Sequence, residues 1–386
     1  MSASPRETVV ITGGGGYFGH RLGCRLFEDG MDVVLFDIRK PVQNLPEGIR
    51  FIQGDIRSLS AVEDALTSAS CVIHTASYGM SGREQLQTRL IEEVNVKGTE
   101  NVLQACVSKG VPRLVYTSTF NVVFGGQTIR NGDESMEYLP LHRHADNYSR
   151  TKAIAEMKVL QANGLELADK SGFLRTCALR SAGIYGPGEQ RHLPRIIKTV
   201  DQGLFMFLYG DHQNRVQFVH VDNLVSAHVL AAEALAEEKN HIAAGKPYFI
   251  ADCQPVDNFE FLQPFIEGLG YKYPTFRLPL FFVYLMAYLT EWLHYLVRPL
   301  YNFQPLLTRA EVYKTGVTHY FNLDKAKREL GYEPKPFKMS KVTEWYKAQG
   351  YGKRVTKGRN YNFLLDLALC LLFIVVLLAW FPKVVG

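Results

Sequence analysis

Tyr148 and Lys152 stand four residues apart in the stretch "YSRTK", so on a helix both side chains leave the same face. A free phenol titrates at about 10 and is a poor base at neutral pH; a neighbouring ammonium favours the phenolate and brings it toward the working range. Such a pair suits removal of a proton from a substrate hydroxyl. The spacing alone also fits an ordinary surface pair, and it gains weight from "YTST" at 116–119. That run ends an apolar strand with hydroxyls at Ser118 and Thr119, where a sheet would open onto a bound cofactor. Asn147-Tyr148-Ser149 is formally a glycosylation sequon, but it overlaps the candidate base.

A second cluster supplies a place for that cofactor. "ITGGGGYFGHRLG" (11–23) follows the apolar run "TVV" and sets Gly13, Gly16 and Gly19 in a G-x-x-G-x-x-G pattern between a strand and a helix. Glycine there permits the tight turn, the close approach of backbone to a pyrophosphate, and the packing of helix on strand. The helix start directs unpaired N–H groups and the positive end of its dipole at the anion. A further strand ends at Asp37, twenty-four residues after Gly13. A carboxylate there accepts hydrogen bonds from the adenosine ribose hydroxyls and repels a 2′-phosphate, which selects NAD over NADP even with Arg39 and Lys40 close by.

The elements that must hold these residues alternate. "TVVITG", "DVVLFD", "IRFIQGD", "CVIHTAS", "RLVYTST" and the long run "RTCALRSAGIYGPG" read as strands, separated by stretches rich in Ala, Leu, Glu and Gln. The rhythm predicts an α/β, Rossmann-type doubly wound parallel sheet. A smaller, mainly helical C-terminal substrate lobe follows, and a C-terminal transmembrane helix after it. The expected division is an NAD-binding domain over 1–190, completed by 216–252, then a substrate-binding lobe over 191–350. A basic juxtamembrane linker over 351–362 leads to an anchor over 363–382.

With 47% hydrophobic and 21% charged residues the chain has an ordinary globular composition, and its net charge of +5 is scattered rather than gathered into a nucleic-acid stripe. Six widely spaced cysteines, at 24, 71, 106, 177, 253 and 370, form no metal-ligand grouping and read as buried, reduced thiols. No apolar signal stretch precedes the first strand. "FLLDLALCLLFIVVLLAWF" (363–381) carries one charge in nineteen residues and spans about 28 Å as a helix, close to the hydrocarbon thickness of a bilayer. Lys353, Arg354, Lys357 and Arg359 stand before it and only Lys383 after it, which keeps the catalytic body on the cytosolic side, with the endoplasmic reticulum as the default membrane. "LPLFFVYLMAYLTEWLHYLVRP" (278–299) is nearly long enough to span as well. Glu291, His294 and Arg298 fall on one helical face, which favours a helix that lines a substrate pocket or leans on the membrane over a second span.

Taken together and in order, "TGGGGYFG", "GDIR", "CVIHTAS", "NVKGT", "YTST", "YSRTK" and "IYGPG" resemble the extended short-chain dehydrogenases/reductases. Within them the chain is similar to the 3β-hydroxysteroid dehydrogenase branch and its membrane-anchored 42E subgroup. The resemblance covers about residues 8–350. It implies that Tyr148 accepts the substrate proton, that Lys152 lowers the tyrosine and binds the nicotinamide ribose, and that Thr119 orients the substrate oxygen, with Ser118 as the second choice. It implies contact of Asp55 and Ile56 with the adenine, NAD as cofactor, no metal, and a homodimer. Ser181 stands where the family has proline. The expected reaction is oxidation of a secondary alcohol, a 3β-hydroxysteroid or sterol. A nucleotide-sugar epimerase or dehydratase is the rival enzyme reading, and an NAD-binding regulator or membrane scaffold without turnover is the third. His74 reads as packing against the cofactor loop, while His192 and Arg191 in "GEQRHLPR" either line the substrate entrance or belong to a solvated loop.

Overall fold

The β-branched runs become parallel strands in a computed structural model, which describes residues 6–80, 82–252, 254–297 and 307–352. In chain order the strands are β1 (Thr8–Thr12), β2 (Asp32–Asp37), β3 (Arg50–Gln53), β4 (Cys71–His74), β5 (Arg113–Thr119), β6 (Ile129–Gly132), β7 (Arg175–Ser181), β8 (Gly183–Tyr185), β9 (Leu208–Tyr209), β10 (Phe218–His220), β11 (Lys246–Ile250), β12 (Arg277–Leu278) and β13 (His319–Phe321). The helices are α1 (Tyr17–Glu28), α2 (Leu59–Ala65), α3 (Thr88–Glu92), α4 (Thr99–Ser108), α5 (Asn147–Gln161), α6 (His192–Asp201), α7 (Val221–Ala234), α8 (Asn258–Gly268), α9 (Leu280–Val297), α10 (Arg309–Gly316), α11 (Asp324–Leu330) and α12 (Met339–Ala348).

Seven strands form one parallel sheet in the order β11-β7-β5-β4-β1-β2-β3. The chain order reverses between β1 and β4, and open sheets bind ligands beyond the carboxyl ends of their strands at such a switch point. Strand periodicity divides the core between two faces. Val9 and Ile11 of β1 pack with Leu22 and Leu26 of α1 and Leu224 and Ala227 of α7. Val10, between them, packs on the other face with Val62 of α2, Val102 of α4 and Val159 of α5. Cys71, Cys106 and Cys177 are free thiols buried in these two clusters, as their apolar contexts predict.

The run read as one strand from 175 to 188 is two. β7 pairs with β5 and β11 as far as Ser181; the Ala182 amide then donates to the Ile250 carbonyl, and β8 leaves to pair with β10 in a separate two-stranded sheet. The pairing partner, more than thirty residues downstream, decides the break, and no local propensity marks it. Ser181, at the family's proline position, donates its hydroxyl to the Ser118 carbonyl at 3.1 Å and so ties β7 to the end of β5.

Beyond the sheet lie two further apolar clusters. One joins Leu193 and Ile197 of α6 to Phe265 of α8 and Val342 and Tyr346 of α12. The other joins Tyr209, Phe259, Val283, Ala287 and Val312. Within the 278–299 stretch Leu278 ends β12, and a single helix, α9, runs over Leu280–Val297. The expected anchor, and all but the first two residues of its basic linker, lie outside the described residues.

Close packing at the first crossover gives a direct prediction. A Cβ added at Gly19 would lie 2.3 Å from the Gly13 carbonyl oxygen, a backbone atom that cannot swing aside. Gly19→Ala is expected to destabilise the protein by about 1–3 kcal/mol, read as a lower urea midpoint, and to weaken NADH binding in parallel because α1 must shift.

Candidate active site

The glycine loop is built by its contacts with β2. The amides of Gly13 and Gly14 both donate to the Phe36 carbonyl, at 2.9 and 3.2 Å. Gly13 has φ +74°, and a Cβ there would lie 2.8 Å from the Ala76 nitrogen, so only glycine fits. Gly16 is the N-cap of α1 and has no side chain to accept the first-turn amides. A Cβ at this position would meet only the Gly13 carbonyl oxygen, at 3.2 Å, and otherwise open space. The start of α1 is therefore an uncapped, positively polarised end with room in front of it. Asp37, at the carboxyl end of β2, accepts from the Gly15 amide at 3.0 Å and the Arg39 amide at 3.2 Å, so one carboxylate organises the loop and the turn after β2.

Asp55 and Ile56 follow β3. Asp55 is paired with Arg57 at 2.6 Å, and the guanidinium holds its carboxyl below the usual range. Ile56 is buried, and its carbonyl accepts from the Asn101 side chain at 2.9 Å. Glycines with space before an uncapped helix, and a carboxylate one strand away, fit a dinucleotide.

Helix α5 carries the acid–base candidates. Asp146 caps it, accepting from the Ser149 amide and pairing with Lys314 at 2.8 Å. Tyr148 lies in the first turn and is buried, and burial pushes its phenol up to about 12. Arg191 and a hydrogen bond from Ser77 favour its phenolate; Asp146 opposes it. Lys152, one turn on, is also buried. Its ammonium donates to the Thr117 carbonyl at 2.5 Å and lies 4.0 Å over the Tyr116 ring. Burial brings that ammonium down to about 7, against an opposing pull from Glu156. The sequence expects Lys152 to lower the phenol; Arg191 is a further cation that favours the Tyr148 phenolate.

The structure separates the two hydroxyls at the end of β5. Ser118 donates its hydroxyl to Glu156, which also accepts from Tyr138 at 2.8 Å and from Arg180 at 2.8 Å. Thr119 is buried on the opposite side of the strand, and its Oγ1 accepts from the Asn121 amide. No acceptor for the Thr119 hydroxyl proton is found among the described residues. Ser118 is committed to the core, and Thr119 retains a donor for an oxygen beside it.

His74 is buried between Thr12, 2.6 Å from Nδ1, and Thr99, 2.9 Å from Nε2. Burial pushes it down to about 3, so it is a neutral structural histidine, in line with its sequence reading. In "GEQRHLPR" Glu189 accepts the amides of Arg191, His192 and Leu193 and caps α6, while Arg191 pairs with Glu84 at 3.4 Å.

Sequence reading missed Ser77, Asn95, Glu156 and Arg180. Asn95 sits in a π-helical turn, Glu93–Gly98, between α3 and α4. Its side chain bonds the Tyr78 backbone at 2.8 and 2.9 Å and the Thr151 hydroxyl at 3.0 Å, which fixes the loop after β4 to α5. Such turns recur at functional sites. Glu156 was within reach of a sequence argument, four residues after Lys152 on the same face. Arg180, a charge inside "TCALRSA", was the matching signal.

The family model for "3-beta hydroxysteroid dehydrogenase/isomerase family" matches residues 10–280. The chain is 65% identical to short-chain dehydrogenase/reductase family 42E member 1 of Xenopus laevis, over 99% of this chain and 100% of the relative. It is 36% identical to 3beta-hydroxysteroid-dehydrogenase/decarboxylase isoform 2 of Arabidopsis thaliana, over 86% of this chain and 61% of that one. Among solved structures, Thermus thermophilus UDP-glucose 4-epimerase in complex with NAD superposes with a TM-score of 0.63 at 22% identity, over 87% of this chain and 96% of the epimerase. The last likeness concerns the fold.

Proposed function

The chain belongs to the 3-beta hydroxysteroid dehydrogenase/isomerase family, a branch of the extended short-chain dehydrogenases/reductases, and from that membership we propose that it is a membrane-anchored, NAD-dependent oxidoreductase. Its reaction is oxidation of a secondary alcohol to a ketone, and its substrate is a 3β-hydroxysteroid or sterol. The catalytic body faces the cytosol, anchored in the endoplasmic reticulum by 363–382. The observation that carries the reading is the buried Tyr148–Lys152 pair on α5, beside the β5 end that presents Thr119.

Gly13, Gly16 and Gly19 would hold the pyrophosphate of NAD at the start of α1, Asp37 the adenosine ribose, and Asp55 and Ile56 the adenine. Bound NAD supplies the hydride acceptor. Tyr148 takes the proton of the substrate hydroxyl at its phenolate oxygen, and Thr119 donates to that same substrate oxygen and fixes its direction. Lys152, held by the Thr117 carbonyl, brings a cation to the nicotinamide ribose side of the site.

A nucleotide diphosphate would have to compete for the lobe's described arginines, each of which has a partner: Arg191 with Glu84, Arg195 with Glu311, Arg277 with Asp257, Arg309 with Glu291, Arg328 with Glu329, and Arg215 with the backbone carbonyls of His212 and Asn214.

The test uses membranes from cells expressing the full chain, given NAD and a panel of 3β-hydroxysteroids, sterols and nucleotide sugars, with products identified by mass spectrometry. Steroid ketone formed by the wild type and absent with Tyr148→Phe supports the reading. Turnover of a nucleotide sugar instead, or NADH binding with no turnover of any alcohol, would overturn it. Cofactor choice gives a separate expectation. Asp37→Ser removes the charge that opposes a 2′-phosphate, and should shift the NADP-to-NAD ratio of kcat/KM by about one to two orders of magnitude toward NADP, measured in initial-rate assays.

A further inference from the structure

The Lys152 ammonium has three protons to give. One goes to the Thr117 carbonyl at 2.5 Å, and the face of the Tyr116 ring lies 4.0 Å away. Among the described residues that carbonyl is the one hydrogen-bond acceptor found for it. β4 ends at His74, opposite Tyr116, so no residue of β4 is registered opposite Thr117. The direction of the ammonium therefore depends on a carbonyl past the last rung of the β4 ladder. What holds Thr117 holds Lys152.

His228 of α7 supplies that hold. Its ring is wholly buried, with Nε2 2.7 Å from the Thr117 hydroxyl and Nδ1 2.8 Å from the Leu224 carbonyl. A carbonyl can only accept, so the proton sits on Nδ1, Nε2 is the acceptor, and the Thr117 hydroxyl donates. Burial pushes the imidazole down to about 4, which keeps it neutral at working pH. Phe18 packs across the ring, with centroids 4.7 Å apart. Phe18 lies in the first turn of α1, between Gly16 and Gly19. One imidazole thus touches α7, the end of β5 and the start of the helix that follows the glycine loop.

We propose that His228 is a positioning residue for Lys152: by accepting from the Thr117 hydroxyl it fixes the carbonyl that aims the ammonium at the nicotinamide ribose of NAD. The proposal rests on the reading of Lys152 as the cation beside that ribose. Threonine is stiff at χ1, so a hydrogen bond to its hydroxyl also steadies the backbone that carries its carbonyl. Phe18 sets the place of the ring relative to the glycine loop. Lysine and loop are thereby spaced through Phe18, His228 and Thr117, and they would hold two parts of one dinucleotide.

The experiment titrates NADH and ADP into the full chain in detergent by isothermal calorimetry. ADP carries the adenosine and the pyrophosphate but lacks the nicotinamide ribose. A loosened fold weakens both ligands, and a displaced lysine weakens NADH alone. Thr117→Val, which exchanges the hydroxyl for a methyl, is expected to raise the NADH Kd about tenfold and leave ADP within about twofold. His228→Phe should do the same, while His228→Gln, whose Oε1 accepts the hydroxyl proton, should stay within about threefold of wild type. Lys152→Met is the reference: it should weaken NADH at least as much, and adding Thr117→Val to it should change nothing further. NADH affinity unchanged in Thr117→Val but lowered in Lys152→Met overturns the proposal and leaves the reading of Lys152 standing. NADH affinity unchanged in Lys152→Met overturns both. Equal weakening of NADH and ADP in Thr117→Val, or additive losses in the double variant, means that the contact does not act through the lysine, which also overturns the proposal.

Discussion

Tyr148→Phe is expected to lower kcat for alcohol oxidation by about 10²–10⁴-fold, the range typical of a lost general base, with NADH affinity within about twofold of wild type. The expectation follows from what the substitution removes. It deletes one oxygen from a buried ring and leaves the volume and the α5 backbone as they were. Ser77 and Arg191 lose the phenolate that they favour, and the substrate hydroxyl loses its proton acceptor. The phenol is pushed up to about 12 by burial, so the proton-accepting form grows as pH rises. The wild-type oxidation rate should climb with pH up to about 7, where Lys152 begins to lose its cation, and the residual rate of Tyr148→Phe should lack that rise. Stopped-flow NADH formation, with equilibrium NADH fluorescence as the binding control, checks both. A variant that keeps a tenth or more of the wild-type kcat would move the base elsewhere.

Arg191 adds a consequence that "YSRTK" alone does not contain. It comes from the start of α6, some forty residues beyond Tyr148, and nothing in local spacing links the two. What could be read from sequence is what neighbouring residues fix. The glycine spacing, Asp37 at a strand end, and the 148–152–156 face of α5 all depend on the chain's own periodicity, and the structure places them as that periodicity requires. What could not be read depends on partners distant in sequence. The break after Ser181 follows from β10 and β11. The different partners of Ser118 and Thr119 follow from which face of β5 meets α5, a one-residue matter of register. The two faces of α9 were half legible: Glu291 and His294 mark its inner side, but the exposure of its aromatic side shows only once β9 and α10 are in place.

The largest stability effect is expected at Glu156. Its carboxylate and the Arg180 guanidinium are almost wholly buried, 2.7 Å apart at the closest, and neither has water to fall back on. Breaking a buried pair from one side leaves the other charge uncompensated, so Glu156→Gln should cost about 3–5 kcal/mol, read from urea unfolding of the full chain in detergent. Pairing it with Arg180→Met should restore most of that loss, because the cost lies in the stranded charge and not in the missing contact. The substitution also reaches the chemistry. Arg180 from β7, Tyr138 from the loop before α5, Ser118 and Tyr116 from β5, and Lys152 on α5 itself are the polar groups that face or feel Glu156. Lys152 titrates at about 7 with Glu156 pulling it upward. Without that anion its pKa falls further and its cation is lost at lower pH, so the folded variant should lose activity at neutral pH and regain part of it on acidification. A double variant as unstable as Glu156→Gln, or a single variant with an unshifted pH profile, would show that Glu156 serves packing alone.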